Sequence, residues 1–188
     1  MDRYENFRLF HDISVEDYNL LTKNLQLQTF KKGELIISPG QVQRKLYFVK
    51  SGIQMAHFNA NQKTRVIAFT SYPELLVIPD AFSFQTPSKY YVTCLTDSEL
   101  EYLTFEELLQ IFDQSQQIER FFRKMMEFAL ADVIRWYIEL HSITIEERYL
   151  SFCQKRAHLL GLVPHKYIAS YLGIDPTNFS KLFNKVMF

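Results

Sequence analysis

The sequence predicts an α+β protein: short strands closing into an all-β sandwich or barrel, then one long helix, then a compact helical unit. Three observations predict it. Glycine is scarce, five in 188 residues, and Gly33, Gly40 and Gly52 punctuate short runs rich in β-branched and aromatic residues. No Gly or Pro interrupts the stretch from Asp113 to His141. The segment His165 to Asn184 then fits a helix-turn-helix position by position.

The expected strands are Leu27–Phe30, Leu35–Ile37, Leu46–Val49, Met55–Phe58, Val66–Phe69, Leu75–Ile78, Tyr90–Cys94 and Leu100–Leu103. Ser14-x-x-Asp17 caps a helix before them, over roughly residues 15–25, and Thr104-x-x-Glu107 caps a short one after them, Phe105 to Phe112. The long helix carries Phe122, Met126, Ala129, Val133, Trp136 and Leu140 at spacings of 4, 3, 4, 3 and 4, a coiled-coil seam. At ~1.5 Å per residue it reaches about 45 Å, beyond the diameter of a small β domain. A second stripe, Ile118, Phe121, Met125 and Phe128, lies beside the first, so one stripe is expected on the β domain and the other on a second subunit. Thr144-x-x-Glu147 opens a further helix. In the helix-turn-helix, Ala169 is the small residue at the closest approach and Gly173 supplies the positive φ of the turn. Ile168, Leu172, Ile174, Phe179 and Leu182 form the apolar lock, and Asp175-Pro176 caps and starts the second helix. The expected units are residues 1–112, 113–143 and 144–188.

Composition limits the function. Apolar residues make up 47% of the chain, and 21 basic side chains balance 21 acidic ones, which excludes disorder, a collagen-like chain and a globally basic nucleic-acid coat. No apolar run approaches the length of a membrane span, and MDRYENFRLFHDIS has no apolar signal core. Cys94 and Cys153 fit neither a disulfide framework nor a zinc site, and a reducing cytoplasm is the expected setting. Residues 144–188 nevertheless hold six basic and three acidic side chains, a local positive field suited to phosphate. Thr177, Asn178, Ser180, Lys181, Asn184 and Lys185 are the expected exposed donors of the second helix, with Lys166 on the first, suited to base edges or phosphates.

The order of glycine-punctuated strands, long helix and helix-turn-helix resembles the Crp/Fnr superfamily of bacterial transcription regulators. FKKGELIISPGQ, KLYFVKSGIQM, TDSELEYLTFEELLQIF, EERYLSF and VPHKYIASYLGIDPTNFSKLF carry the resemblance, and the last is similar to short members found in Bacteroidetes. The resemblance implies a double-stranded, jelly-roll-like β-roll of the cyclic-nucleotide-binding type as sensor, and homodimerisation through the long helix. It also implies a pseudo-palindromic DNA operator, with RNA polymerase as a further partner.

The chain departs from that pattern in its effector region. The nucleotide-binding members hold the cyclic phosphate with a Gly-Glu turn, a short helix and an Arg. Here PELLVIPDAFSFQTPSKYYV contains no Gly, and the Arg position falls on Ser88, followed by Lys89 and Tyr90. These three are the candidate effector-pocket residues, and a lone ammonium lacks the bidentate fork of Arg. Cyclic AMP is therefore not expected as effector, and the small molecule sensed is left unspecified. No cofactor or metal is expected: an N-terminal cysteine cluster is absent, and His11, His57, His141, His158 and His165 are scattered. A metal-dependent enzyme on the roll would need companions for His57 that the sequence lacks. Where many relatives carry an acid and a guanine-reading Arg, the recognition helix has Thr177 and Lys181, so the resemblance implies a guanine contact for Lys181 and phosphate contacts for Lys166 and Lys185, and the β-hairpin wing of longer relatives is not expected. Two readings stand: a dimeric transcription regulator, or a small-molecule-binding or protein-interaction module whose helix-turn-helix no longer binds DNA.

Overall fold

The computed structural model describes residues 3–186, so Met1, Asp2, Met187 and Phe188 lie outside the described residues. Each apolar run becomes a strand: β1 (Gln26–Phe30), β2 (Leu35–Ile37), β3 (Lys45–Ser51), β4 (Ile53–Ala60), β5 (Lys63–Ser71), β6 (Leu75–Leu76), β7 (Tyr91–Cys94) and β8 (Ser98–Thr104). They form two antiparallel four-stranded sheets, in orders β1-β8-β3-β6 and β2-β7-β4-β5. Ile37, Tyr47, Val49, Leu76, Ile78, Val92 and Leu100 fill the space between the sheets. β3 reads as a continuous apolar run because both its faces are covered. Tyr47 and Val49 point into the roll, while Leu46 and Phe48 join the helices outside.

Two helical layers cover the roll. Over the first sheet lie α1 (Arg3–Arg8), α2 (Val15–Thr22), α4 (Phe105–Gln114) and the start of α5 (Gln116–Ser142), burying Phe7, Leu21, Leu108, Ile118 and Phe121. Phe7 stacks on Phe121 with ring centroids 4.8 Å apart. Ser14 caps α2, accepting the Asp17 N–H at 3.0 Å, and Thr104 with Glu107 closes a reciprocal capping box on α4. Over the second sheet lies the C-terminal unit: α6 (Ile145–Leu160), α7 (His165–Leu172) and α8 (Pro176–Val186), with Tyr149, Phe152, Ile168, Leu172 and Phe179 packed on Ile53, Met55, Val66 and Phe69.

Two local differences from the sequence reading have physical causes, and a third is a kink. The stretch from Asp113 is not one helix: Ser115 ends α4 and caps α5, accepting the Ile118 N–H at 3.3 Å and donating to Asp17 Oδ1 at 2.6 Å. That bond holds the Asp17 carboxyl below its ordinary value. Residue 112, the expected end of the first unit, therefore lies inside α4. Between Pro73 and Pro79 the strand β6 shrinks to two residues, proline offering no donor to a ladder, and Pro79 starts the short helix α3 (Pro79–Ser83). Finally, α6 is kinked at Arg156 (φ −140°, ψ 36°).

Candidate nucleic-acid interface

α7 and α8 meet as the sequence predicts. Gly173 ends α7 in the left-handed region (φ 64°), and the Ile174 N–H closes on the Ala169 carbonyl at 2.9 Å. Ala169, Ile168, Leu172, Ile174, Phe179 and Leu182 are all buried. Asp175 accepts the Thr177 N–H at 2.9 Å and so fixes where α8 begins. With Phe179 and Leu182 anchored inside, Thr177, Asn178, Ser180, Lys181, Asn184 and Lys185 stand exposed on the outer face of α8. Helical spacing spreads them over about 160° of that face, and no acid lies within α8.

The six donors are not equivalent. Ser180 turns its hydroxyl back onto the Pro176 carbonyl at 3.0 Å. Lys185 is paired with Glu146 at 2.7 Å, so a phosphate must compete with a carboxylate for it. Lys181 is exposed and has no ion-pair partner among the described residues. Lys166, in the first turn of α7, lies over its neighbour Tyr167, 4.9 Å from the ring centroid. An α8 in the major groove would present Thr177, Asn178 and Lys181 to base edges while the α7 start meets the backbone.

Sequence spacing gave no sign of how firmly this unit is docked. Ser170 Oγ donates to the Thr64 carbonyl at 3.0 Å and accepts the Val66 N–H at 3.1 Å, tying α7 to β5. Tyr171 stacks on Trp136 of the long helix, 4.7 Å between centroids and 6° from parallel, and its other neighbours are Phe69 and Phe152. Arg156, at the kink of α6, reaches the Phe69 carbonyl at 3.2 Å and Glu74 at 2.9 Å. The only available signal was that Tyr167 and Tyr171 add a second apolar stripe to α7 beside Ile168 and Leu172.

The candidate effector residues are placed differently. Ser88 is buried, and its hydroxyl donates to the Tyr90 carbonyl at 2.9 Å and accepts the Tyr90 N–H at 3.0 Å. Its backbone pairs with Gly40 and Gln41. Lys89 is exposed, and Tyr90 packs on the core of the roll. At the α3 start Pro79 has no N–H, and Asp80 occupies the Ala81 N–H at 3.0 Å. His57 stacks on Tyr91 and bonds Thr93 at 2.9 Å, with burial pushing its pKa below the ordinary 6.5. Among the described residues no group of three or more His, Cys, Asp or Glu is arranged to hold a metal ion.

The seam residues divide among three environments. Phe122 is 8% exposed and packs edge-on against Phe112, and Met126 is half-buried. Trp136 and Leu140 are half-buried, and Leu140 gives its carbonyl to buried Arg148 at 2.9 Å. Ala129 and Val133 face outward, Val133 at 63% exposure, with Leu130, Ile134, Tyr137 and Ile138 also exposed around it. In the second stripe Ile118 and Phe121 are buried on the β domain, while Phe128 is half exposed.

Residues 27–115 match the family described as the cyclic nucleotide-binding domain. No curated protein matches the chain. Among solved structures, FixK2 from Bradyrhizobium japonicum is similar at 15% identity, covering 87% of this chain and 84% of its own, with a TM-score of 0.76. CLP of Xanthomonas campestris, described as a c-di-GMP responsive global regulator, has 17% identity, coverages of 93% and 92%, and a TM-score of 0.71. A putative Crp/Fnr-family transcriptional regulator from Eubacterium rectale has 18% identity, coverages of 97% and 88%, and a TM-score of 0.69. No helix of the described residues is long and apolar enough to cross a membrane. Residues 27–115 are thus similar to the cyclic nucleotide-binding domain, and the chain as a whole, with its long helix and helix-turn-helix, shares the fold of these solved structures.

Proposed function

We propose that the chain is a homodimeric, sequence-specific DNA-binding transcription regulator whose β-roll does not take cyclic AMP. The observation that carries the DNA reading is the outer face of α8: six exposed polar or basic side chains, no acid, on a helix fixed by buried Phe179 and Leu182. Lys181 is the base-reading residue and Lys166 a phosphate contact. Lys185 contributes once it leaves Glu146. Replacing Lys181 with Ala is expected to weaken operator binding by about 1–3 kcal/mol and to relax preference at one base position. Fluorescence anisotropy on a labelled operator and on single-base variants reads both. Binding that is equally weak to all duplexes, and indifferent to Lys181, would favour a module that has lost DNA recognition.

The same reading assigns the exposed middle of α5 to a second copy. Leu130, Val133, Ile134 and Tyr137 form an apolar face beyond what the chain itself covers.

For cyclic AMP the obstacle is the fate of the phosphate charge. Leaving water requires donors and a cation in place. Here Ser88 is committed to Tyr90, Pro79 removes a donor, and the Asp80 carboxylate stands where the short helix would meet an anion. Losing a buried charge-assisted pair costs about 2–5 kcal/mol, enough to take a micromolar ligand to around millimolar. Isothermal titration is expected to show no binding at micromolar cyclic AMP, and a micromolar dissociation constant would refute the proposal.

A further inference from the structure

The sensor's own β-hairpin stands beside the helix-turn-helix. β4 and β5 are joined by the two-residue turn Asn61-Gln62, both with positive φ (50° and 61°), a tight hairpin geometry that holds the tip in register. From Gly52 to Pro73 the hairpin and its flanks contain no acidic residue, and the tip carries Lys63 and Arg65. Spaced by two on β5, these side chains share one face, while the intervening Thr64 and the following Val66 give their backbone to Ser170 of α7. Lys166 lies one helical turn before Ser170, about 5–6 Å from it along the same face of α7. The result is a cleft of about 390 Å³ between hairpin and helix-turn-helix, lined by Lys63, Arg65 and Lys166 among others, with Asp175 its one acid. Asp175 is already occupied in capping α8. None of the three cations has an ion-pair partner among the described residues, although eleven ion pairs occur elsewhere. Three like charges without ion-pair partners around one cleft repel each other in the isolated protein, and an anion relieves that repulsion. The cleft also borders Pro176, the first residue of α8, so it continues the exposed face of that helix.

From this geometry we infer that the tip of the β4–β5 hairpin is a phosphate-binding element of the DNA interface. Lys63 and Arg65 take backbone phosphates of the same half-site that α8 reads. The inference rests on the DNA-binding reading above and adds to it that the sensor domain itself touches the duplex. Ser170, which holds the hairpin against α7, acts as a positioning residue.

The test uses the full chain and a duplex carrying its selected operator, with anisotropy titrations at several salt concentrations. Two phosphate contacts contribute about 1.8 to the slope of log K against log salt, equivalent to about thirty-fold in affinity at 0.15 M salt. The double variant Lys63→Gln, Arg65→Gln is therefore expected to lose about thirty-fold on operator and non-operator duplexes alike, with the slope lowered by about 1.8. The exchange Lys63→Arg, Arg65→Lys keeps both charges and is expected to keep the wild-type slope. The hairpin assignment is overturned if the Gln variant stays within twofold of wild type in slope and affinity while Lys181→Ala weakens binding. It is equally overturned if the charge-keeping exchange loses as much as the Gln variant, because hairpin shape would then be responsible. Wild-type protein that binds no duplex at low salt would overturn the DNA reading and this inference together.

Discussion

At the residue scale, Gly52 and Gly173 both occupy the left-handed region, at φ +89° and +64°, yet they should respond differently to a methyl group. A Cβ on Gly52 would lie 2.6 Å from the backbone oxygen of Asp97 and closer still to the Ser98 side chain. The start of β8 cannot withdraw without breaking its pairing with β1 and β3. A Cβ on Gly173 would meet only Leu140 Cδ2 at 3.3 Å, the end of a side chain that can turn. Gly52→Ala is expected to cost about 2–4 kcal/mol, strain plus overlap, against about 1–2 kcal/mol for Gly173→Ala. Urea denaturation of the two variants checks the ranking, and equal losses would contradict it. The sequence marks both glycines as turns, because apolar runs flank them. It does not show why Gly52 is the less replaceable, since the atoms it must avoid belong to residues 45 and 46 positions away. Ser88 teaches the same lesson: its place at the expected Arg position is legible, but its two hydrogen bonds to Tyr90 depend on the folded loop.

At the element scale, the strands and the helix-turn-helix were readable because each depends on nearest-neighbour chemistry: alternation and β-branching, a Gly turn, an Asp-Pro start. The break at Ser115 was missed: Ser115 caps α5 through the Ile118 N–H, and its hydroxyl is further held by Asp17, 98 residues earlier in the chain. The seam of α5 shows how periodicity identifies an apolar stripe without saying what covers it. Phe122 is covered by the chain's own Phe112, and Trp136 by Tyr171, while Val133 is left open. Val133→Glu should accordingly leave the fold intact in a single chain while placing two facing carboxylates in a dry dimer interface. Sedimentation is expected to show wild-type dimers and variant monomers at micromolar concentration. A wild type that is already monomeric there would refute dimerisation through α5.

At the scale of the whole molecule, neutrality conceals a division of labour. The chain's charges cancel, but the face built from α8, the α7 start and the β4–β5 tip carries Lys181, Lys166, Lys63 and Arg65 without acidic partners. That face unites residues more than a hundred positions apart, so the six basic and three acidic side chains of residues 144–188 account for only part of it. It exists because Ser170, Tyr171 and Arg156 hold the helix-turn-helix against β5, and none of those contacts follows from local spacing. The same docking packs the roll directly against the helix-turn-helix through Phe69, Tyr171 and Ser170. The central claim is that this face reads DNA. Selection of binding sites from a random duplex library, using the purified full chain at low salt, tests it most directly. The account predicts an enriched, approximately palindromic motif whose half-sites lie about one helical turn apart; recovery of no enriched motif would contradict it.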